Sequence, residues 1–90
     1  MMRLKLRISG SVQGVGYRFF MQGLARRQDL TGWVRNCSNG DVETEAQGQK
    51  ERLEDFILQL EKGHPWAQVS KIMREPLPEK ILEKGFEIRF

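Results

Sequence analysis

Apolar and basic residues alternate over residues 3–8 (RLKLRI), which is the two-residue period of a strand with one buried face. After a glycine-rich segment the spacing of apolar residues changes to three and four, which predicts a helix from Tyr17 that ends near Gln28 and Asp29. Its buried stripe consists of Tyr17, Phe20, Met21, Leu24 and Ala25. The chain thus opens with a strand, a glycine-rich turn and an amphipathic helix.

β-branched and aromatic residues return from Thr31 to Asn36, and alternation resumes over residues 42–46. Between these segments, Asn39-Gly40 is a typical signal of a tight hairpin. The pattern therefore predicts two antiparallel strands.

A second helical stripe follows, formed by Leu53, Phe56, Ile57 and Leu60. Lys62-Gly63 predicts its end, and Pro65 prevents any continuation. Residues 69–73 read as a fourth strand, and residues 86–90 as a short terminal strand. Between these two strands, Pro76 and Pro78 predict a loop.

The predicted order is β-α-β-β-α-β with an added terminal strand. This order is typical of the α+β ferredoxin-like split βαβ fold, an antiparallel sheet that carries both helices on one face. Since many unrelated functions use this architecture, the fold alone does not identify the activity.

Composition excludes some classes of protein. The 90 residues contain one cysteine and one histidine, which rules out an internal disulfide and a structural zinc site. We find no apolar segment of membrane-spanning length and no signal peptide, so we expect a soluble, cytoplasmic protein. A net charge of +3 favours an anionic partner, and leaves both a small anion and a nucleic acid open.

Three glycines, Gly10, Gly14 and Gly16, lie between the first strand and the first helix, followed closely by Arg18. Glycines permit backbone angles that let consecutive N–H groups converge on one point, and a helix N-terminus also favours negative charge. A planar guanidinium suits two phosphate oxygens at once. The segment is consistent with an anion site, and equally with a tight turn beside a surface arginine.

Two segments together resemble the signatures of the acylphosphatase family. The first is a glycine, then VQGV, one variable residue, an aromatic residue and arginine, met by residues 10–18. The second signature begins with a glycine, an aromatic residue, a small apolar residue, a basic residue and an asparagine. Three residues and then G-x-V follow, and residues 32–42 match this pattern. The resemblance covers essentially the whole chain. Asn39, where relatives often have aspartate, and Phe90, where others end in tyrosine, depart from the pattern.

The resemblance implies that residues 1–90 form one acylphosphatase-like domain that hydrolyses small acyl phosphates to carboxylate and inorganic phosphate. Arg18 takes the place of the phosphate-binding arginine, and Asn36 that of the asparagine that positions the attacking water. The implied phosphate-binding loop, called here the glycine loop, consists of Val12, Gln13, Gly14, Val15, Gly16, Tyr17 and Arg18. We expect no cofactor and no metal, a monomer, and competitive inhibition by the product phosphate.

Other candidate residues favour structural interpretations. Cys37 has no histidine nearby in the sequence and reads as an inert thiol, while His64 beside Pro65 reads as a capping or solvent residue. Glu43 and Glu45 share a strand face with Asp41, which is typical of a solvated edge. Trp33 and Trp66 read as packing or rim residues, and Arg26 and Arg27 as surface charges.

Two alternatives have different functions. A ferredoxin-like RNA-binding module would carry aromatic residues on its central strands, whereas residues 41–47 contain three acids and no aromatic residue. A non-catalytic anion-binding module, including an isolated copy of the acylphosphatase-like domain of larger carbamoyl-transfer maturation proteins, would keep Arg18 and the glycine loop. The presence of Asn36 favours the enzyme.

Overall fold

The computed structural model describes all 90 residues, in five strands and two helices. The elements are β1 Met2–Ser11, α1 Tyr17–Arg27, β2 Thr31–Asn36, β3 Val42–Gly48, α2 Lys50–Lys62, β4 Gln68–Leu77 and β5 Phe86–Arg89. The predicted order of elements is confirmed. The turn between β2 and β3 is the predicted hairpin, in which the Asp41 N–H donates to the Asn39 side-chain oxygen at 3.1 Å.

One five-stranded sheet has the strand order β4-β1-β3-β2-β5. β1 pairs antiparallel with both β3 and β4, and β2 pairs antiparallel with β3. β5 differs, because it pairs parallel to β2, with Val34 opposite Ile88. The ferredoxin-like sheet is therefore antiparallel across its first four strands and mixed as a whole.

The helices cover one face of this sheet, with α1 against β2 and β5, and α2 against β3 and β4. The inward residues of β1, namely Leu4, Leu6 and Ile8, are fully or almost fully buried. They join both helical stripes in a single core of 17 residues. The alternation in β1 and the period of the helices thus have one cause, the burial of apolar surface between two layers.

The prediction of a loop beginning at Pro76 is wrong. β4 continues through Pro76 to Leu77, and Pro76 lies opposite Leu4. β4 is an edge strand, so only one of its sides must donate to a ladder, and proline is tolerated where the missing N–H would face solvent. The loop lies between Leu77 and Phe86 instead.

The expectation of a solvated edge at the carboxylates of β3 is also wrong, because β3 is a central strand. Glu43 is only 3% exposed. Its Oε1 accepts a 2.8 Å hydrogen bond from Arg35, and its Oε2 a 3.2 Å bond from Arg7, with Lys5 Nζ at 3.6 Å. Burial by itself would raise the pKa of Glu43, but the bonds from Arg35 and Arg7 and the charge of Lys5 outweigh it and lower the pKa.

A second ion-pair group on the same face fixes the connection between β4 and β5. The side chain of Arg3 is completely buried, and its guanidinium lies 2.9 Å from Glu45 and 2.7 Å from Glu83. Glu83 belongs to the segment between the two strands, and the neighbouring Gly85 accepts a 3.0 Å hydrogen bond from the Gly32 N–H. These bonds hold the chain in place as it enters β5.

We expect Glu43→Gln to lower the free energy of unfolding by about 2 kcal/mol at pH 7, because an amide cannot balance the surrounding cations. The folded-state pKa of Glu43 is lowered, so its stabilisation is complete above the unfolded pKa of about 4.3 and is lost as the pH falls through the folded value. The difference between variant and parent should therefore shrink below about pH 4. Urea unfolding of both proteins between pH 7 and pH 3 measures this difference in the free energy of unfolding.

Glu75→Gln is the matched control. Glu75 lies opposite Lys5 on the same face but is exposed and forms no ion pair, so we expect little change. A Glu43→Gln protein as stable as the parent at pH 7 would contradict the role given to this network.

Candidate active site

The carboxyl ends of three strands that run in the same direction lie at one end of the sheet. β1 and β2 are both antiparallel to β3, and β5 is parallel to β2, so the carboxyl ends of β1, β2 and β5 lie on the same side. β1 leads into the glycine loop, β2 ends at Asn36, and β5 ends at Arg89 opposite Arg35. The topology thus brings the predicted loop and the predicted asparagine to one place.

The glycine loop turns sharply into α1 by means of left-handed backbone angles. Gly14 has φ 77° and Gly16 has φ 73°, and a Cβ at either position would meet no atom within 4 Å. The need for glycine here is therefore conformational and not steric. Gly16 is the N-cap of α1, and its carbonyl accepts the first helical hydrogen bond from the Phe20 N–H at 3.1 Å.

The backbone donors of this turn are left without partners in the protein. No hydrogen bond uses an N–H of residues 12–16 as its donor, and no side chain caps the first turn of α1. That turn also contains no acidic residue. A run of free N–H groups at a helix N-terminus is a site that favours an anion.

A cavity of about 130 Å³ opens beside these donors. It is lined by Val12, Gly14, Gly16, Tyr17, Arg18, Phe19 and Asn36. The two residues predicted to carry the chemistry, Arg18 and Asn36, are 18 positions apart in the sequence and share this one small space.

Arg18 is held from the carboxyl end of β5. Its Nη1 donates a 3.2 Å hydrogen bond to the Arg89 carbonyl, and its Cζ lies 4.8 Å from the centre of the Phe90 ring. These contacts occupy only part of a guanidinium that has five N–H donors. The remaining N–H donors of Arg18 are free to bind an anion in the cavity.

Asn36 presents a buried acceptor to the same region. Its Oδ1 is inaccessible to solvent and accepts no hydrogen bond from the protein. Buried polar atoms almost always have a partner, so Asn36 is a residue of the cavity lining whose hydrogen-bonding capacity the protein leaves unused.

Other contacts hold the glycine loop in shape. Gln13 donates two hydrogen bonds of 2.8 Å, to the carbonyls of Cys37 and Asp41, which join the loop to the β2–β3 hairpin. Val12 and Tyr17 are each 1% exposed within the core, and the Tyr17 hydroxyl donates to the Leu60 carbonyl at 2.8 Å. Burial raises the pKa of Tyr17, so the phenol stays neutral and serves to position the loop.

Comparison with known proteins decides the family. The family model described as acylphosphatase matches residues 4–88. The chain belongs to the acylphosphatase family. An acylphosphatase from Clostridium beijerinckii is 41% identical over 90 residues, which span the whole of both chains. The resemblance seen in the sequence is thereby confirmed.

Solved structures agree with this assignment. The crystal structure of acylphosphatase from Bacillus subtilis has a TM-score of 0.94 and 32% identity, and the match covers all of both chains. HypF from T. kodakarensis also matches, with a TM-score of 0.87 and 28% identity, but the match covers only 12% of that chain. The acylphosphatase fold thus occurs both alone and within a longer protein.

Several residues in or near this cavity were not predicted from the sequence as part of the site. Phe19 lines the cavity, and Arg89 and Phe90 hold Arg18. Alternation did predict a terminal strand, but nothing local indicated that it lies parallel to β2. For Phe19 a signal was present, because it is an aromatic residue off the buried stripe of α1.

The remaining candidates lie outside the cavity. Cys37 is half-buried, and its carbonyl accepts the Gln13 bond. His64 Nδ1 accepts hydrogen bonds from the N–H groups of Trp66 and Ala67, as expected of a local capping residue. Trp33 is buried on the outer face, with the Arg89 guanidinium 4.7 Å from its ring centre.

Arg26 and Arg27, read from the sequence as surface charges, are exposed. No group of three or more His, Cys, Asp or Glu side chains is placed to bind a metal ion. Neither helix combines the length and the apolar character needed to span a membrane.

Proposed function

We propose that this chain, a hydrolase of acyl phosphates by its family, works by in-line attack of a water bound by Asn36. The phosphoryl group would lie in the cavity, surrounded by the N–H groups of residues 12–18 and by Arg18. The observation that carries the proposal is that one small cavity is lined by both Arg18 and Asn36, whose Oδ1 has no hydrogen-bond partner in the protein.

The charge of the phosphoryl group is balanced by fixed donors. Free N–H groups of the glycine loop, the N-terminus of α1 and Arg18 all favour its oxygens. Because these donors are already in position, they stabilise charge in the transition state without reorganising. Inorganic phosphate has the same oxygens, so we expect the product to bind the same donors and compete with substrate.

Rotation of the Asn36 amide turns Oδ1, which is buried in this structure, toward the cavity. There it accepts a hydrogen bond from the attacking water and aims the water oxygen at phosphorus. The new O–P bond forms as the bond to the acyl oxygen breaks, and the carboxylate leaves with the electron pair. An amide oxygen is too weak a base to take the proton, so a phosphoryl oxygen accepts it. The only contributions from side chains are then the position of the water and the charge of Arg18.

We expect the purified chain to hydrolyse benzoyl phosphate and acetyl phosphate, with little action on phosphate monoesters, whose leaving group is much more basic. Turnover should be unchanged by EDTA, because protein groups alone balance the phosphoryl charge. Release of inorganic phosphate measures the turnover of each substrate, with and without EDTA. A folded sample that binds phosphate but turns over no acyl phosphate would point to a non-catalytic anion-binding module, and loss of activity in EDTA would contradict the metal-free mechanism.

We expect Arg18→Lys to lose almost as much kcat/KM as Arg18→Ala, because an ammonium keeps the charge but not the planar pair of donors. The inhibition constant of phosphate should rise in both variants, since Arg18 meets the anion before and during reaction. Arg26→Lys, at an exposed position near the end of α1, is the matched control and should behave like the parent. Near-normal kcat/KM in Arg18→Lys would show that charge alone suffices.

We expect Asn36→Ala to lower kcat by about 10² to 10³-fold, the loss typical of one positioned polar group, while phosphate binding stays nearly intact. The free energy of unfolding should not fall, because the variant removes a buried acceptor that has no partner in the protein. Steady-state kinetics measures kcat, calorimetry measures the affinity for phosphate, and urea unfolding measures the free energy of unfolding.

Asn39→Ala, at the exposed hairpin tip, is the control. If phosphate affinity collapsed together with kcat in Asn36→Ala, the role of Asn36 would be to shape the anion site and not to bind the water.

A further inference from the structure

The cavity is too small for a whole substrate unless the acyl group is very short. Its volume is about 130 Å³, whereas a cavity that holds one benzene molecule measures about 150 Å³. Once the phosphoryl group lies against the glycine loop, an acyl group of benzoyl size must lie outside, at the cavity mouth. A contact that distinguishes acyl groups is therefore expected at the mouth, and a lining residue that extends beyond the cavity is placed to make it.

Only one lining residue has the required character. Val12 and Tyr17 are apolar but buried, and the two lining glycines have no side chain. Arg18 and Asn36 are polar and serve the phosphoryl group and the water. Phe19 remains, the one lining residue with an apolar side chain that is largely exposed, at 64%.

Core packing does not account for Phe19. The buried residues of α1 are Tyr17, Met21, Leu24 and Ala25, and Phe19 lies off this stripe, next to Arg18. Its ring takes part in none of the aromatic pairs in the structure, whereas the neighbouring Phe20 stacks on Tyr17 at 6.0 Å. Exposure of a large aromatic side chain at the mouth of a site favours a contact with a ligand.

A second, larger cavity that Asn36 also lines is a poorer candidate for the acyl group. It measures about 350 Å³ and includes Arg7, Arg35 and Cys37 among its lining residues. In-line attack places the leaving group opposite the water. With the water on Asn36, the acyl group points away from Asn36, which is one of the residues that line the larger cavity.

We propose that Phe19 determines the specificity of the enzyme for the acyl group of its substrate. The Phe19 ring gives a preference for acyl phosphates with an aromatic or other extended apolar acyl group. The inference rests on the proposed function, because it places the phosphoryl group in the cavity and the water on Asn36. The acyl group packs against the Phe19 ring in both the bound and the reacting state, and takes no part in bond breaking.

The test compares two substrates in one set of variants. In Phe19→Ala, kcat/KM for benzoyl phosphate should fall about tenfold, the loss expected for one aromatic contact, while kcat/KM for acetyl phosphate stays within about twofold of the parent. Phe19→Trp, which keeps an aromatic surface, should retain the preference. The inhibition constant of inorganic phosphate should be equal in all three proteins, because the phosphate donors are untouched.

Leu58→Ala is the matched control, since Leu58 is an apolar residue 47% exposed on α2 and away from the cavity. Equal loss with both substrates in Phe19→Ala, or a changed phosphate inhibition constant, would mean that Phe19 supports the loop, and would overturn the inference. An unchanged ratio of the two kcat/KM values would also overturn it. A parent protein inert toward both substrates would instead overturn the proposed function.

Discussion

The site depends on a run of backbone N–H groups that are kept out of all protein hydrogen bonds. Residues 12–16 donate to nothing in the chain, and Gly14 and Gly16 are exposed. A segment of this kind cannot hold its own shape by internal hydrogen bonds, so its surroundings must do so. Gln13 fixes one side to the hairpin, and Val12 and Tyr17 fix the other side to the core. The arrangement of these free donors is thus a consequence of where the rest of the fold places these three side chains.

The parallel pairing of β5 with β2 completes the arrangement. Both strands run in the same direction. Asn36 at the end of β2 and the Arg89 carbonyl at the end of β5 therefore lie at the same end of the sheet as the glycine loop. Arg18 is bonded to that carbonyl, so its position depends on a strand of only four residues. The ion pair between the buried Arg3 and Glu83 explains how so short a strand is held, because it fixes the preceding segment.

Local sequence patterns predicted what local forces determine. The alternation in β1, the two helical stripes and the Asn-Gly turn each follow from short-range burial and backbone geometry, and all were confirmed. Arg18, Asn36 and the loop were predicted as site residues from two short motifs, and the structure brings them together. The parallel pairing of β5, the extension of β4 through Pro76 and the burial of Glu43 depend on strand order, which no short segment contains.

The groups around the cavity also limit the chemistry that the proposed mechanism can perform. Its lining residues include only two with a titratable side chain: Arg18, which stays charged, and Tyr17, whose hydroxyl is buried and bonded to Leu60. Neither can protonate a departing oxygen. A carboxylate leaves without a proton because its conjugate acid has a pKa of about 4, whereas an alkoxide is far more basic and leaves poorly unless it is protonated. Selectivity for anhydrides over phosphate monoesters therefore needs no recognition of the acyl group, and follows from a site that stabilises the phosphoryl charge and supplies no acid.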